Sequence, residues 1–166
     1  MMDYAGVRSE TFEWVGPVIG PRVEPGMSGL AYLTGIRDGA VRSPDLGPLL
    51  NAELVEITRG RVQLICSVPA AQLGSLQEFD PGMASLLIHT AVNCVAQTLM
   101  GLHQGWAMVA SHSSYIRPTS RRLGSLTATA EVAESSAERA VVKGELADEY
   151  GQVLTTVTTT LDLFDL

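Results

Sequence analysis

Ser85, His89, Asn93 and Gln97 recur at a spacing of four in a stretch that is otherwise almost wholly apolar. On an α-helix that spacing lines side chains along one slowly drifting stripe, with Thr90 beside it. Imidazole exchanges its proton nearest to neutral pH, which makes His89 the candidate for acid/base work. One reading is that the stripe faces a cleft between subunits. The same stripe equally describes a polar seam against another subunit's helix or buried water, because a polar group in so apolar a helix needs a partner. The residues alone leave both readings open.

Arg117, Arg121 and Arg122 form the one dense basic cluster of a chain whose formal net charge is −7. Guanidinium groups suit phosphate and carboxylate oxygens, so the cluster is either a site for a small anionic ligand or a solvated turn. His112, flanked by Ser111, Ser113 and Ser114, is unusual for a central strand and has no evident role. His103, just past the apolar stretch, reads as solvated. Cys66 and Cys94 sit inside apolar runs and read as free, buried thiols of a reduced compartment.

These residues must be held by ordinary elements. The first 27 residues lack periodicity and are punctuated by Gly16, Pro17, Gly20, Pro21, Pro25 and Gly26, which predicts an irregular arm ahead of a domain spanning 28–166. Ser28 caps a short helix through about Ile36. Leu54, Val55 and Ile57 mark a strand, Arg59-Gly60 turns it, and Val62, Leu64 and Cys66 alternate with Arg61, Gln63 and Ile65 in a second. Asp80 and Pro81 have the chemistry of a helix start: a capping carboxylate, then a proline where no amide hydrogen is needed. The helix runs to about Leu102 and is apolar on most of its circumference, which predicts burial. Four extended segments follow at about 106–117, 124–134, 139–147 and 152–164. Turn residues separate them, and Val153, Thr155, Val157, Thr159, Leu161 and Leu163 share one face of the last. The order is α+β: an antiparallel sheet of about six strands wrapped around one long central helix.

A chain of 166 residues with a hydrophobic share of 46% buries a core without metal or disulfide staples. Its acidic balance argues against a nucleic-acid partner. No Cys/His spacing suits a metal, no G-x-G-x-x-G follows a strand, and no cofactor is expected. The longest apolar run, from Met83 to Met100, is broken by His89, Asn93 and Gln97, so no membrane span is expected. The first ten residues have no basic segment leading into an apolar run, and a cytoplasmic protein is the expectation.

Four stretches carry a resemblance. LLNAELVEITRGRVQLICSVP resembles the first hairpin of the PaaI-type hotdog-fold acyl-CoA thioesterases, and GSLQEFDPGMASLLIHTAVNCVAQTLM resembles their loop and central helix. SSYIRPTSRRLGSLTATAEV, with Tyr115-Ile116-Arg117-Pro118, resembles their strand-turn-strand, and AVVKGELADEYGQVLTTVTTTL their last hairpin. The resemblance covers about residues 28–164. It implies a hotdog fold, a homodimer or homotetramer, and a thioester site between subunits, with CoA thioester as substrate or ligand rather than cofactor. It also places Arg117, Arg121 and Arg122 near the CoA entrance.

The resembled site has a backbone N–H at the helix N-terminus for the thioester oxygen and a carboxylate on the helix as base or nucleophile. A preorganised amide helped by the helix dipole stabilises a developing oxyanion. Here a gapless alignment sets Gly74, Asp80, Pro81 and His89 at the family's Asn, His, first Gly and catalytic Asp, so all four differ. Proline has no N–H to offer. Gly82 keeps one, a position along, and Ser85 is another source of a donor. Asp80 and His89 resemble the family pair with positions exchanged. They read either as a rearranged acid/base pair or as a helix cap and a hydrogen-bonded helix residue. The expected function is an acyl-CoA thioesterase with altered or weak catalysis; the alternative is a non-catalytic acyl-CoA-binding or oligomeric hotdog protein.

Overall fold

A computed structural model describes residues 26–41, 50–67, 80–117 and 124–166. The arm expected before residue 26 lies outside the described residues, as do Gly74, Arg121 and Arg122.

The chain enters through α1 (Gly29–Arg37), where the hydroxyl of Ser28 accepts from the amide of Ala31 at 3.3 Å. The first amide of α1 donates to the carbonyl of Met100 at 3.1 Å, so the short helix sits against the end of the long one. Gly29 makes this approach possible, since a Cβ there would collide with the carbonyl oxygen of Gln97. Strands β1 (Ala52–Thr58) and β2 (Arg61–Ser67) form a hairpin. Gly60 turns it at φ 82°, the left-handed region that glycine enters without strain. The amide of Gly60 then donates to the hydroxyl of Thr98 at 2.8 Å, tying the hairpin to the far end of the long helix.

That helix, α2 (Pro81–Leu99), starts where the Asp80-Pro81 pair predicts and stops three residues before Leu102. Ala84, Leu87, Ile88, Ala91, Val92, Val95, Ala96 and Thr98 are buried, a helical period that lays one face on the sheet. Full burial of a Leu, Ile or Val side chain stabilises by about 1.5–3 kcal/mol, so this stripe is the main anchor of the fold. The helix is less enclosed than its composition predicts. Pro81, Gly82 and Asn93 are exposed, and Leu86, His89 and Thr90 are half-buried. One sheet covers only one side of a rod.

The other strands are β3 (Gln104–Tyr115), β4 (Ser125–Ser135), β5 (Arg139–Asp148) and β6 (Val153–Asp165). All pairings are antiparallel, in the order β1-β2-β4-β5-β6-β3. Alternation puts Leu126, Ala128 and Ala130 of β4 inward with Ala140, Val142 and Leu146 of β5. On β6, Leu154 is buried beside the inward row of Thr155, Val157, Thr159 and Leu161. This is the α+β arrangement read from the sequence, with one difference of position. Segment β3 is not interior: it is the edge strand beyond β6, exposed along most of its length.

Strand β3 also breaks its own alternation. Trp106 and Met108 pair with Leu163 and Leu161, whereas Ser111, Ser113 and Tyr115 pair with Thr159, Val157 and Thr155. Val109 is the extra residue of a bulge between Met108 and Ala110. A bulge reverses which side chains face which side beyond it.

Candidate active site

The half-exposed side of α2 overhangs edge strand β3, and the polar stripe is where the two meet. Ser85 Oγ lies 2.5 Å from Tyr115 Oη. His89 Nε2 lies 2.8 Å from Ser111 Oγ. Further along, the indole N–H of Trp106 donates to Gln97 Oε1 at 3.4 Å. The helix runs up as the strand runs down, so three members of the stripe find partners on one strand. Asn93 is left exposed, and the hydroxyl of Thr90 turns back to the carbonyl of Leu86 at 2.8 Å.

His89 is held from both sides. Its Nδ1 is 2.7 Å from the carbonyl oxygen of Ser85. A carbonyl only accepts, so Nδ1 carries the hydrogen and Nε2 of the neutral ring presents its lone pair to Ser111. Ser111 Oγ is in turn 3.0 Å from Thr159 Oγ1. This is the geometry of an oriented general base, with a backbone carbonyl standing where many enzymes place a carboxylate.

Asp80 takes a different part. Its Oδ1 accepts from the amides of Gly82 at 2.7 Å and Met83 at 3.3 Å. Asp80 thus caps the helix, and it shares no hydrogen bond with His89, whose ring nitrogens are engaged by Ser85 and Ser111. The amide of Gly82, the alternative donor for a thioester oxygen, is bound to the Asp80 carboxylate. Pro81 has no amide hydrogen, and its carbonyl accepts from Tyr115 Oη at 3.4 Å. The hydroxyls at this end of the cleft are also engaged: with Tyr115 donating to Pro81, that of Ser85 donates to Tyr115 Oη.

Arg117 is exposed at the end of β3, with one guanidinium N–H donated to the carbonyl of Val153 at 3.1 Å. It stands two residues beyond Tyr115, on the same side of the molecule as the helix N-terminus that Tyr115 touches. His112 pairs with exposed Thr158 on the outer face and lies 3.4 Å from Ser114 Oγ, away from the helix. Neither thiol is reactive near neutrality: burial pushes Cys66 up to about 11 and Cys94 up to about 12. The thiol of Cys66 donates to the carbonyl of Leu50 at 2.9 Å.

Sequence reasoning singled out Ser85 and His89 and missed Ser111, Tyr115 and Thr159 as their partners. Tyr115 was visible in the Tyr-Ile-Arg-Pro element. Ser111 carried no signal beyond standing next to His112, and Thr159 was one of an alternating row.

A six-stranded antiparallel sheet wrapped around one long helix is the hotdog fold. Solved structures similar to this chain include a thioesterase family protein from Silicibacter pomeroyi, with a TM-score of 0.70, 21% identity, and coverage of 81% of this chain and 99% of that one. The E. coli PaaI protein of the phenylacetic acid degradation operon has a TM-score of 0.70 at 16% identity, covering 82% and 93%. A hypothetical thioesterase from Streptococcus pneumoniae, solved with coenzyme A, has a TM-score of 0.62 at 17% identity, covering 69% and 87%. The structural neighbours are PaaI-type thioesterase hotdog proteins, and at such identities the likeness is one of fold. No family model and no curated protein matches the sequence. Among the described residues, no helix is long and apolar enough to cross a membrane.

Proposed function

We propose that this chain is an acyl-CoA thioesterase-type hydrolase that works slowly, at a cleft between α2 and β3 with His89 as general base. One observation carries the reading: Nδ1 of His89 is locked as a donor by the Ser85 carbonyl, so Nε2 is presented as a base on the open side of the helix. Fold neighbours named as thioesterases, one of them holding coenzyme A, support thioester as the substrate class. Arg117, with Arg121 and Arg122, supplies guanidinium groups for the CoA phosphates. Free Cys66 and Cys94 fit a reducing compartment such as the cytoplasm.

The unit is a homodimer or a tetramer of such dimers. Strand β3 is a 12-residue edge whose outer backbone groups lack a partner strand among the described residues, and Met108, Val109 and Tyr115 are exposed along it, with exposed Ile116 just beyond. A long edge with apolar side chains invites a second strand, and a second copy of β3 supplies one. The half-exposed side of α2 would then be enclosed and the cleft lined by two subunits. Light scattering that shows a folded monomer at micromolar concentration refutes this assembly.

A second reading has its own support. With Pro81 in place of a donor and the Gly82 amide bound to Asp80, no helix amide is free for the oxyanion. Losing one such donor costs about 10²–10³ in rate. The protein then binds acyl-CoA without turning it over. Thiol release from a panel of short, long and aryl acyl-CoAs decides between them. Release lost in His89→Ala supports the hydrolase, whereas tight binding with no release supports the binding protein.

A further inference from the structure

One hydroxyl in this cleft is placed more tightly than a general base requires. Ser111 faces α2 only because of the bulge at Val109: regular alternation from Met108 would turn Ala110 inward and Ser111 outward. Once inward, its single proton has one destination. His89 Nε2 is an acceptor, so Ser111 Oγ donates to it at 2.8 Å. With that proton committed, the hydroxyl of Thr159 must donate to Ser111 Oγ at 3.0 Å. The chain of donors runs from Thr159 to Ser111 to His89, and from His89 Nδ1 to the Ser85 carbonyl. Ser111 is an exposed residue of the edge strand, while Thr159 beneath it is fully buried. A hydroxyl bonded to an oriented imidazole is the arrangement of an activated nucleophile.

We propose that Ser111 is the nucleophile and that the reaction passes through an acyl-serine. The proposal rests on the thioester reading above and adds the covalent step to it. Ser111 Oγ bonds to the thioester carbonyl carbon as its proton moves to His89 Nε2. The carbon–sulfur bond then breaks, and the departing sulfur takes that proton to leave as free thiol. Water next gives a proton to Nε2 and attacks the acyl-serine carbonyl. Oγ leaves with the proton returned from Nε2, releasing the carboxylic acid. Thr159, donating to Oγ throughout, is a positioning residue that holds the hydroxyl on line with the imidazole. The hydroxyls of Ser85 and Tyr115 lie on the helix N-terminal side of this pair, and either serves the oxyanion only by exchanging its present bond, Ser85 to Tyr115 or Tyr115 to the Pro81 carbonyl.

The test uses the full chain with two probes read by intact mass and peptide mapping. The first is acetyl-, hexanoyl- and phenylacetyl-CoA, quenched in acid within the first turnover. The second is a fluorophosphonate, which phosphonylates activated serines whatever their natural substrate. The expected result is one adduct per chain on Ser111 with both probes. Labelling slows by at least about 10²-fold in His89→Ala, the low end of what a general base contributes. It vanishes in Ser111→Ala, while Ser111→Cys moves the acyl group to the new thiol. If thiol is released, but Ser111→Ala releases it as fast and no adduct forms, the nucleophile is water and only the proposed function survives. If Ser111 is phosphonylated in a His89-dependent way but no acyl-CoA releases thiol, the dyad stands and the thioester reading falls. If neither probe reacts, both are overturned.

Discussion

The Thr159–Ser111 hydrogen bond can be weighed by stability alone, without any substrate. Thr159 is 0% exposed, and its hydroxyl is paired with Ser111 Oγ. Removing the acceptor by Ser111→Ala strands a buried donor, which costs about 1–3 kcal/mol. Removing the donor by Thr159→Val is milder, because Ser111 keeps His89 as a partner. The lost bond, about 0.5–1.5 kcal/mol, is offset by the burial of one more methyl group, worth about 0.8 kcal/mol. The two changes together leave no orphaned hydroxyl. The double variant should therefore be more stable than Ser111→Ala alone, with a coupling of about 1 kcal/mol. Urea unfolding reads this as a shift in midpoint at constant slope. If Ser111→Ala costs the same in both backgrounds, within the roughly 0.3–0.5 kcal/mol expected of independent sites, the donor chain assigned here is wrong.

Other perturbations follow from particular contacts. Asp80→Ala removes the cap that holds the amides of Gly82 and Met83, and should cost about 0.5–2 kcal/mol in thermal or urea unfolding, with Asp80→Asn costing less. Gly29→Ala drives a methyl group into the Gln97 carbonyl and should cost about 1–3 kcal/mol, with amide hydrogen exchange rising first in α1. The Cys66 thiol is raised by burial from 9.0 to about 11, so the native state holds its proton more tightly than the unfolded chain. That stability is complete below about pH 9 and is lost as pH rises through about 11, and Cys66→Ala should flatten this alkaline decline in the urea midpoint.

The order of elements was legible because local chemistry announces it. Ser28 and Asp80 carry their caps in their own side chains, Gly60 carries its turn, and Val153 to Leu163 carry a period of two that admits one inward face. The edge position of β3 was not legible. Strand β6 lies between β5 and β3 in the sheet, so β3 meets a strand that follows it by two hairpins. Nothing local to residues 104–115 encodes that neighbour. For the same reason His112 is an odd residue only for an interior strand, and it stands on the outer face of an exposed one. The site shows the same division. His89 was visible as a polar residue in an apolar helix that required a partner, but the partner's identity depends on a contact with Ser111, 22 residues away. The Asp80–His89 pair came from alignment to a resembled motif. In the structure the carboxylate satisfies the helix end, the nearest set of unpaired amides, and the imidazole finds its partners on β3.

The bulge at Val109 joins these observations. An extra residue in an edge strand disrupts the ladder locally, and here it leaves the Val109 side chain 51% exposed. What the bulge changes is the face presented by everything after it. Ser111 and Tyr115 turn inward to meet His89 and Ser85, and His112 and Ser114 turn outward. The irregularity thus aims two hydroxyls at a half-buried stripe. On the proposed reading, that makes the cleft between α2 and β3, rather than the helix N-terminus, the place of the chemistry.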